Sequence, residues 1–156
     1  MKTVVLYATK HGAAADIAKR IAAQFDDAGA YDIKNDEIPN LSDFDCIIIG
    51  SAVYAGTFRN EAKTFLIKNA DELIGKKLGF FTSGMSPSES TSVFKANIPE
   101  KILQAATAVC SPGGAFNPEN AKFFEKLIMK MVTKQSGPIN TISDEKIIEF
   151  AEAMKE

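Results

Sequence analysis

The run from Asp45 to Ala52 contains Cys46-Ile47-Ile48-Ile49, an apolar stretch with no polar residue inside it. A strand with one wet face alternates apolar and polar residues, because successive side chains point to opposite faces. An unbroken apolar run must be covered on both faces, which is the situation of a strand inside a parallel sheet. Four other runs fit such a sheet: Lys2 to Ala8, Ala30 to Lys34, Leu78 to Thr82 and Ala106 to Cys110. Ala30 to Lys34 is short and polar and reads as an edge strand.

Helix patterns fall between the strands. Residues 12 to 28 place Ile17, Ile21 and Phe25 on one stripe, with Gly29 as the expected stop. Residues 61 to 74 place Ala62, Phe65, Leu66, Ala70 and Leu73 on another, with Asn60 as cap and Gly75 as end. A shorter helix is expected from Pro99 to Ala105. Asn117-Pro118-Glu119 opens a helix that runs to about Lys134, with proline in the first turn and an acid on the dipole. Ser143-Asp144-Glu145 opens the last helix, which carries Ile147, Ile148, Ala151 and Met154. Ser86 to Ser92 and Lys134 to Asn140 read as flexible. Strands alternating with helices give an open α/β sheet, here one domain over residues 1–156. A single helix suffices to close such a sheet after its fifth strand, so the helix at 118–134 is an addition to the minimal fold.

Bulk properties exclude several classes. The 156 residues are 46% apolar and 24% charged, which suits a folded domain rather than a disordered one. A net charge of −2 gives no field for nucleic acid. The acids Asp26, Asp27, Asp32, Asp36, Glu37, Asp43 and Asp45 surround only Lys34, a solvated face around an edge strand or a docking patch. Cys46 and Cys110 lie in apolar runs without CxxC spacing and read as buried thiols in a reducing compartment. The apolar run after Lys2 is too short for a signal peptide, and no stretch reaches the length of a membrane span. A cytoplasmic location is therefore expected.

Ligands of doubly wound sheets bind beyond the carboxyl ends of the strands. Three loops sit there. In "YATKHGAAADIAKRIA", Thr9 offers a hydroxyl, Lys10 charge, and His11-Gly12 a turn that can aim backbone amides at one point. This is either a phosphate nest at a helix start or a plain strand-to-helix connection. In "GSAVYAGTFRNEAKTFL", Gly50 and Gly56 permit a sharp turn. Tyr54 either stacks on a flat ligand or folds over its own helix, and Arg59 either pairs with an anionic edge or decorates the helix start. "TSGMSPSES" supplies amides and small hydroxyls near Gly84. There is no GxxxxGK[ST] and no GxGxxG after the first strand. Ala8-Thr9 and Gly50-Ser51 stand where a phospho-acceptor receiver needs acids. No residue stands out as an acid–base catalyst.

Together the three loops resemble the flavodoxin superfamily. More narrowly, "YATKHG", "IIIGSAVYAGTFRNEAKTF", "GGAFNPENAKFFEKLIMKMV" and "ISDEKIIEFAEAM" resemble the flavodoxin-domain family that includes menaquinone-dependent protoporphyrinogen oxidase. The resemblance implies an α/β, flavodoxin-like open five-stranded parallel sheet of order 2-1-3-4-5, with helices on both faces and an extra helix after strand five. It implies FMN as cofactor. Thr9, Lys10, His11, Gly12, Ala13 and Ala14 would hold the phosphate, and the ring would lie between Ser51, Ala52, Val53, Tyr54, Ala55, Gly56 and Thr82, Ser83, Gly84. A carbonyl near Gly56 would accept a hydrogen bond from N5 of reduced flavin. Ala13-Ala14 stands where the family usually has a hydroxyl residue, which implies weaker FMN retention and makes Ala14→Thr a change that should tighten it.

Three functions follow from the resemblance. One is an FMN-dependent electron carrier or oxidoreductase, serving a redox partner protein or a quinone. The second is oxidation of a porphyrinogen with electrons passed to a quinone. The third is an interaction module with weak or no FMN binding. The helix at 118–134 carries Phe123, Leu127, Met131, Phe124, Ile128 and Val132 on about half its circumference. That stripe packs on the domain or on a second subunit as a homodimer, or it is a surface that meets lipid at the inner face of the membrane, a quinone or a porphyrin-like substrate.

Overall fold

The computed structural model describes residues 1–84, 90–116, 139–140 and 142–156. Its strands are β1 (Thr3–Ala8), β2 (Gly29–Asp32), β3 (Cys46–Tyr54), β4 (Thr57–Phe58), β5 (Lys77–Ser83), β6 (Ala106–Cys110), β7 (Ala115–Phe116) and β8 (Ile139–Asn140). Its helices are α1 (Ala13–Ala22), α2 (Asn60–Lys68), α3 (Ala70–Ile74), α4 (Ser90–Asn97), α5 (Glu100–Gln104) and α6 (Asp144–Lys155), with a short 3-10 turn at Leu41–Asp43.

The main sheet runs β2-β1-β3-β5-β6, all parallel. This is the expected order of the five long strands, with one addition: β4 pairs antiparallel with the end of β3. The apolar run of β3 divides between the two faces as its period requires. Ile47 and Ile49 join Val4, Leu6 and Phe80 in a core that Leu66, Leu73, Phe94 and Ile102 cover from α2 to α5. Cys46 and Ile48 join Val5, Tyr7 and Phe81 in a second core, covered by Ile17 and Ile21 of α1 and Phe150 and Met154 of α6. Each such side chain contributes roughly 1.5–3 kcal/mol by leaving water. Two glycines let the layers close. A Cβ on Gly50 would lie 2.2 Å from the Phe81 ring, and one on Gly79 would lie 2.7 Å from Met154 Sδ.

Several boundaries differ from expectation. α1 ends at Ala22, and Gly29 belongs to β2 rather than to a helix stop. The amides of Gln24 and Phe25 turn to Ile21 and Ala22, and Phe25 packs beside the core from this turn. The stripe over 61 to 74 is two helices, parted at Asn69, whose side chain donates to the carbonyl of Phe65 (2.9 Å). Asn60 is the first residue of α2, with Arg59 at the cap position and no side-chain cap. β3 extends past Ala52 to Tyr54, so part of the second loop is strand. Ser90 to Ser92 begin α4 instead of a flexible loop. Ile139–Asn140, also expected to be flexible, pair with Ala115–Phe116. Ser143 caps α6 as expected, accepting from the Lys146 amide at 3.3 Å. The helix expected at 118–134 lies outside the described residues.

Candidate functional site

Register sets the site. Ala8 pairs with Ser51, and Ser51 with Thr82, so β1 and β5 end within one residue of each other on either side of β3, which runs on to Tyr54. The first loop enters α1 through Gly12, whose φ of 96° lies in the left-handed region that favours glycine. α1 has no side-chain cap. The first amides of a helix have no intrahelical acceptor, and the dipole makes that end positive. The Gly12 amide donates to Thr9 Oγ1 (3.0 Å), which fixes the turn. His11 is exposed, and partial desolvation, then Lys10 and Arg59, hold its pKa below the ordinary histidine value. The loop is therefore a positive corner. Ala13 is half-buried at the start of α1, whereas the Ala14 side chain is fully buried.

The second loop is a hairpin. Val53 pairs with Phe58 and Tyr54 with Thr57, leaving Ala55-Gly56 as a two-residue turn. Both turn residues have positive φ, 52° and 75°, as a primed turn of matching twist requires. Glycine adopts this freely, while alanine gives up roughly 1–2 kcal/mol. The turn is braced from α4. Asn97 Oδ1 accepts from the Phe58 amide (3.0 Å), and Asn97 Nδ2 donates to the carbonyls of Gly56 (2.9 Å) and Val93 (2.8 Å). Ser51 is fully buried, and its hydroxyl donates to the Ala52 carbonyl (2.8 Å) and accepts from the Arg59 amide (3.0 Å). It shapes the loop from behind.

Tyr54 is half-buried, and its hydroxyl is buried with no hydrogen-bond partner among the described residues. Lys10 Nζ lies 5.2 Å from the centre of the Tyr54 ring, a cation–π contact that joins the first two loops. Arg59 turns instead to Glu61, with Nε 2.9 Å from Oε1. Lys10, Tyr54, Thr57, Arg59 and Glu61 line an open pocket of about 440 Å³.

Of the third loop, Thr82, Ser83 and Gly84 are described. Thr82 and Ser83 are buried, and Thr82 Oγ1 lies 2.6 Å from Ser111 Oγ. The Gly84 amide donates to the carbonyl of Gly113 (3.0 Å). A Cβ on Gly114 would come within 3.1 Å of the Gly84 backbone, and one on Gly84 within 3.6 Å of Val53 Cβ. Gly84 is thus wedged between the second loop and the segment after β6. The structure brings the described parts of the three loops together, through Lys10 on Tyr54 and Gly84 beside Val53. Sequence reasoning missed Asn97 and the Ser111–Gly114 support. The breaker run Ser111-Pro112-Gly113-Gly114, directly after a strand, was a usable signal for the latter.

Residues 4–141 match the model of the flavodoxin domain family, and the chain belongs to that family. It is 22% identical to protoporphyrinogen IX dehydrogenase [quinone] of Escherichia coli K12, over 88% of this chain and 81% of that protein. Among solved structures, oxidised flavodoxin 2 from Bacillus cereus superposes with a TM-score of 0.60 at 21% identity, covering 99% of this chain and 98% of that one. A flavoprotein in complex with FMN from Lactobacillus acidophilus gives a TM-score of 0.56 at 15% identity, over 70% of this chain and 92% of that chain.

Proposed function

We propose that this chain binds FMN and works as a flavodoxin-type electron-transfer oxidoreductase. The observation that carries the reading is that β1 and β5 end level with each other on either side of β3, with an uncapped helix N-terminus following β1 and a positive-φ hairpin at the end of β3. The residues present fit the group. The first-turn amides of α1, with Lys10 and His11 nearby, suit a phosphate dianion. Ala52 to Gly56 and Thr82 to Gly84 would flank a flat ring, with Thr9 and Gly12 setting the turn and Ser51 supporting the hairpin. The unpaired Tyr54 hydroxyl costs roughly 1–3 kcal/mol, which a polar ring edge reaching it would relieve.

FMN, when bound, supplies the redox chemistry. The protein's part is to hold the phosphate with amides and positive charge and to keep the ring edge against the 54–58 hairpin. Among the described residues no helix is long and apolar enough to cross a membrane, and no group of acids, cysteines and histidine could hold a metal. In this reading the electron acceptor is a redox partner protein or a quinone, the latter as in the name of the E. coli relative. The E. coli relative supports a narrower second reading, oxidation of a porphyrinogen with a quinone as acceptor.

The test is the visible spectrum of protein purified without added cofactor, with the released flavin weighed by mass spectrometry. A flavin spectrum with the mass of FMN is expected. A colourless protein that takes up no FMN would overturn the reading and favour an interaction module. Turnover of a porphyrinogen with added quinone by the FMN-loaded protein separates the narrower reading from the broader one.

A further inference from the structure

The side chain of Asn97 has its orientation dictated by its neighbours. Oδ1 is the only one of its two polar atoms that can accept from the Phe58 amide, and Nδ2 is the only one that can donate to carbonyls. The donor is thereby committed to the carbonyl of Gly56, in a turn whose two central residues both have positive φ. Alanine at the first of these positions does not favour the turn, so the hairpin depends on an outside brace. The brace comes from α4, far away in sequence, and it occupies a backbone carbonyl of the second loop itself.

We propose that Asn97 is a positioning residue that competes for the Gly56 carbonyl and so sets how strongly the protein prefers oxidised over reduced flavin. The proposal rests on the FMN reading above. Oxidised flavin has a bare N5, an acceptor that makes no demand on a carbonyl. Fully reduced flavin carries N5–H, a donor that seeks one. With Asn97 in place, a reduced ring can use the Gly56 carbonyl only by displacing or sharing the Nδ2 bond. Without it the carbonyl is available, and the reduced form gains relative to the oxidised one.

The experiment compares the wild type with Asn97→Ala, titrating FMN-free protein with oxidised FMN and with dithionite-reduced FMN under nitrogen. The ratio of the two dissociation constants is expected to shift about three- to tenfold toward the reduced form in Asn97→Ala, the range of one ordinary hydrogen bond. A brace with no part in the preference would weaken both affinities together and leave the ratio unchanged, which would overturn the proposal. A second readout needs no flavin. In FMN-free Asn97→Asp, which keeps the acceptor but loses the donor, Phe58 amide exchange should stay slow while the Gly56 carbonyl ¹³C shift moves. An unmoved Gly56 shift would overturn the Asn97 bond itself. Failure of the wild type to bind either form of FMN would instead overturn the FMN reading, and with it the competition, while the carbonyl shift still reports on the brace.

Discussion

Ala13 and Ala14 are adjacent, and the sequence alone puts them on an equal footing as the place of a missing hydroxyl. Burial separates them. Ala13 is half-buried at the first residue of α1, so Ala13→Ser adds a hydroxyl beside the exposed amides. It is expected to tighten FMN about three- to tenfold in a fluorescence titration, one added hydrogen bond. Ala14 has no exposed surface, and Ala14→Thr forces two more heavy atoms into packed space. The expected result is a loss of roughly 1–3 kcal/mol in denaturant unfolding, without the tighter binding that the sequence suggested. His11 makes a pH prediction. Its folded pKa lies below the ordinary histidine value of 6.5, chiefly through desolvation and then through Lys10 and Arg59. Between that lowered value and 6.5 the unfolded chain binds more protons than the folded one, so stability falls as pH drops through this window. His11→Gln should flatten that part of the curve in unfolding midpoints measured from neutral to mildly acidic pH, by a small amount because the ring is exposed.

Elements differ in how plainly the sequence announces them. The central strands were legible because two covered faces demand unbroken apolar runs; Ala106 to Cys110 was bounded correctly as well, although Thr107 and Val109 leave one of its faces exposed. α4 was not legible. "STSVFKAN" buries only Val93 and Phe94 among its side chains with described burial, too few for a helical stripe, and its serines and threonine suggest a loop. The break at Asn69 was hidden because the apolar stripe continues in phase across it. In the site, Gly12 and Gly56 were legible as turn glycines, and both have positive φ. The Asn97 contacts were not, since a bond between residues 56 and 97 leaves no local pattern. Nor was the clasp between α1 and α6, where Arg20 reaches Asp16 (Nη2, 3.0 Å) on its own helix and Asp144 (Nη1, 2.8 Å) at the start of the last. Arg20→Ala is expected to cost about 1 kcal/mol or less, with the difference shrinking at high salt, because both acids are substantially exposed. Unfolding curves at two salt concentrations check it.

Among the described residues, both cores and the candidate site lie within the main sheet and the helices on its faces. β7 and β8 stand apart as a separate antiparallel pair, Ala115 with Asn140 and Phe116 with Ile139. Phe116 and Ile139, which flank residues 117–138 in the chain, are therefore paired with each other. Replacing 117–138 by Asn-Gly, a sequence suited to a two-residue hairpin turn, is expected to preserve the fold and, on the FMN reading, flavin uptake. Far-UV circular dichroism and an FMN titration would show it, and loss of FMN uptake by a folded variant would place part of the flavin site in the excised segment.

The same pairing has a bearing on how such domains diverge. Where two chain ends are already held side by side, lengthening what lies between them is thermodynamically mild, about 0.6 kcal/mol for each doubling. The β7–β8 mouth is thus a port at which one sheet can accept inserts of very different size. Closely similar flavodoxin-fold scaffolds could be given different partners there without altering a single strand.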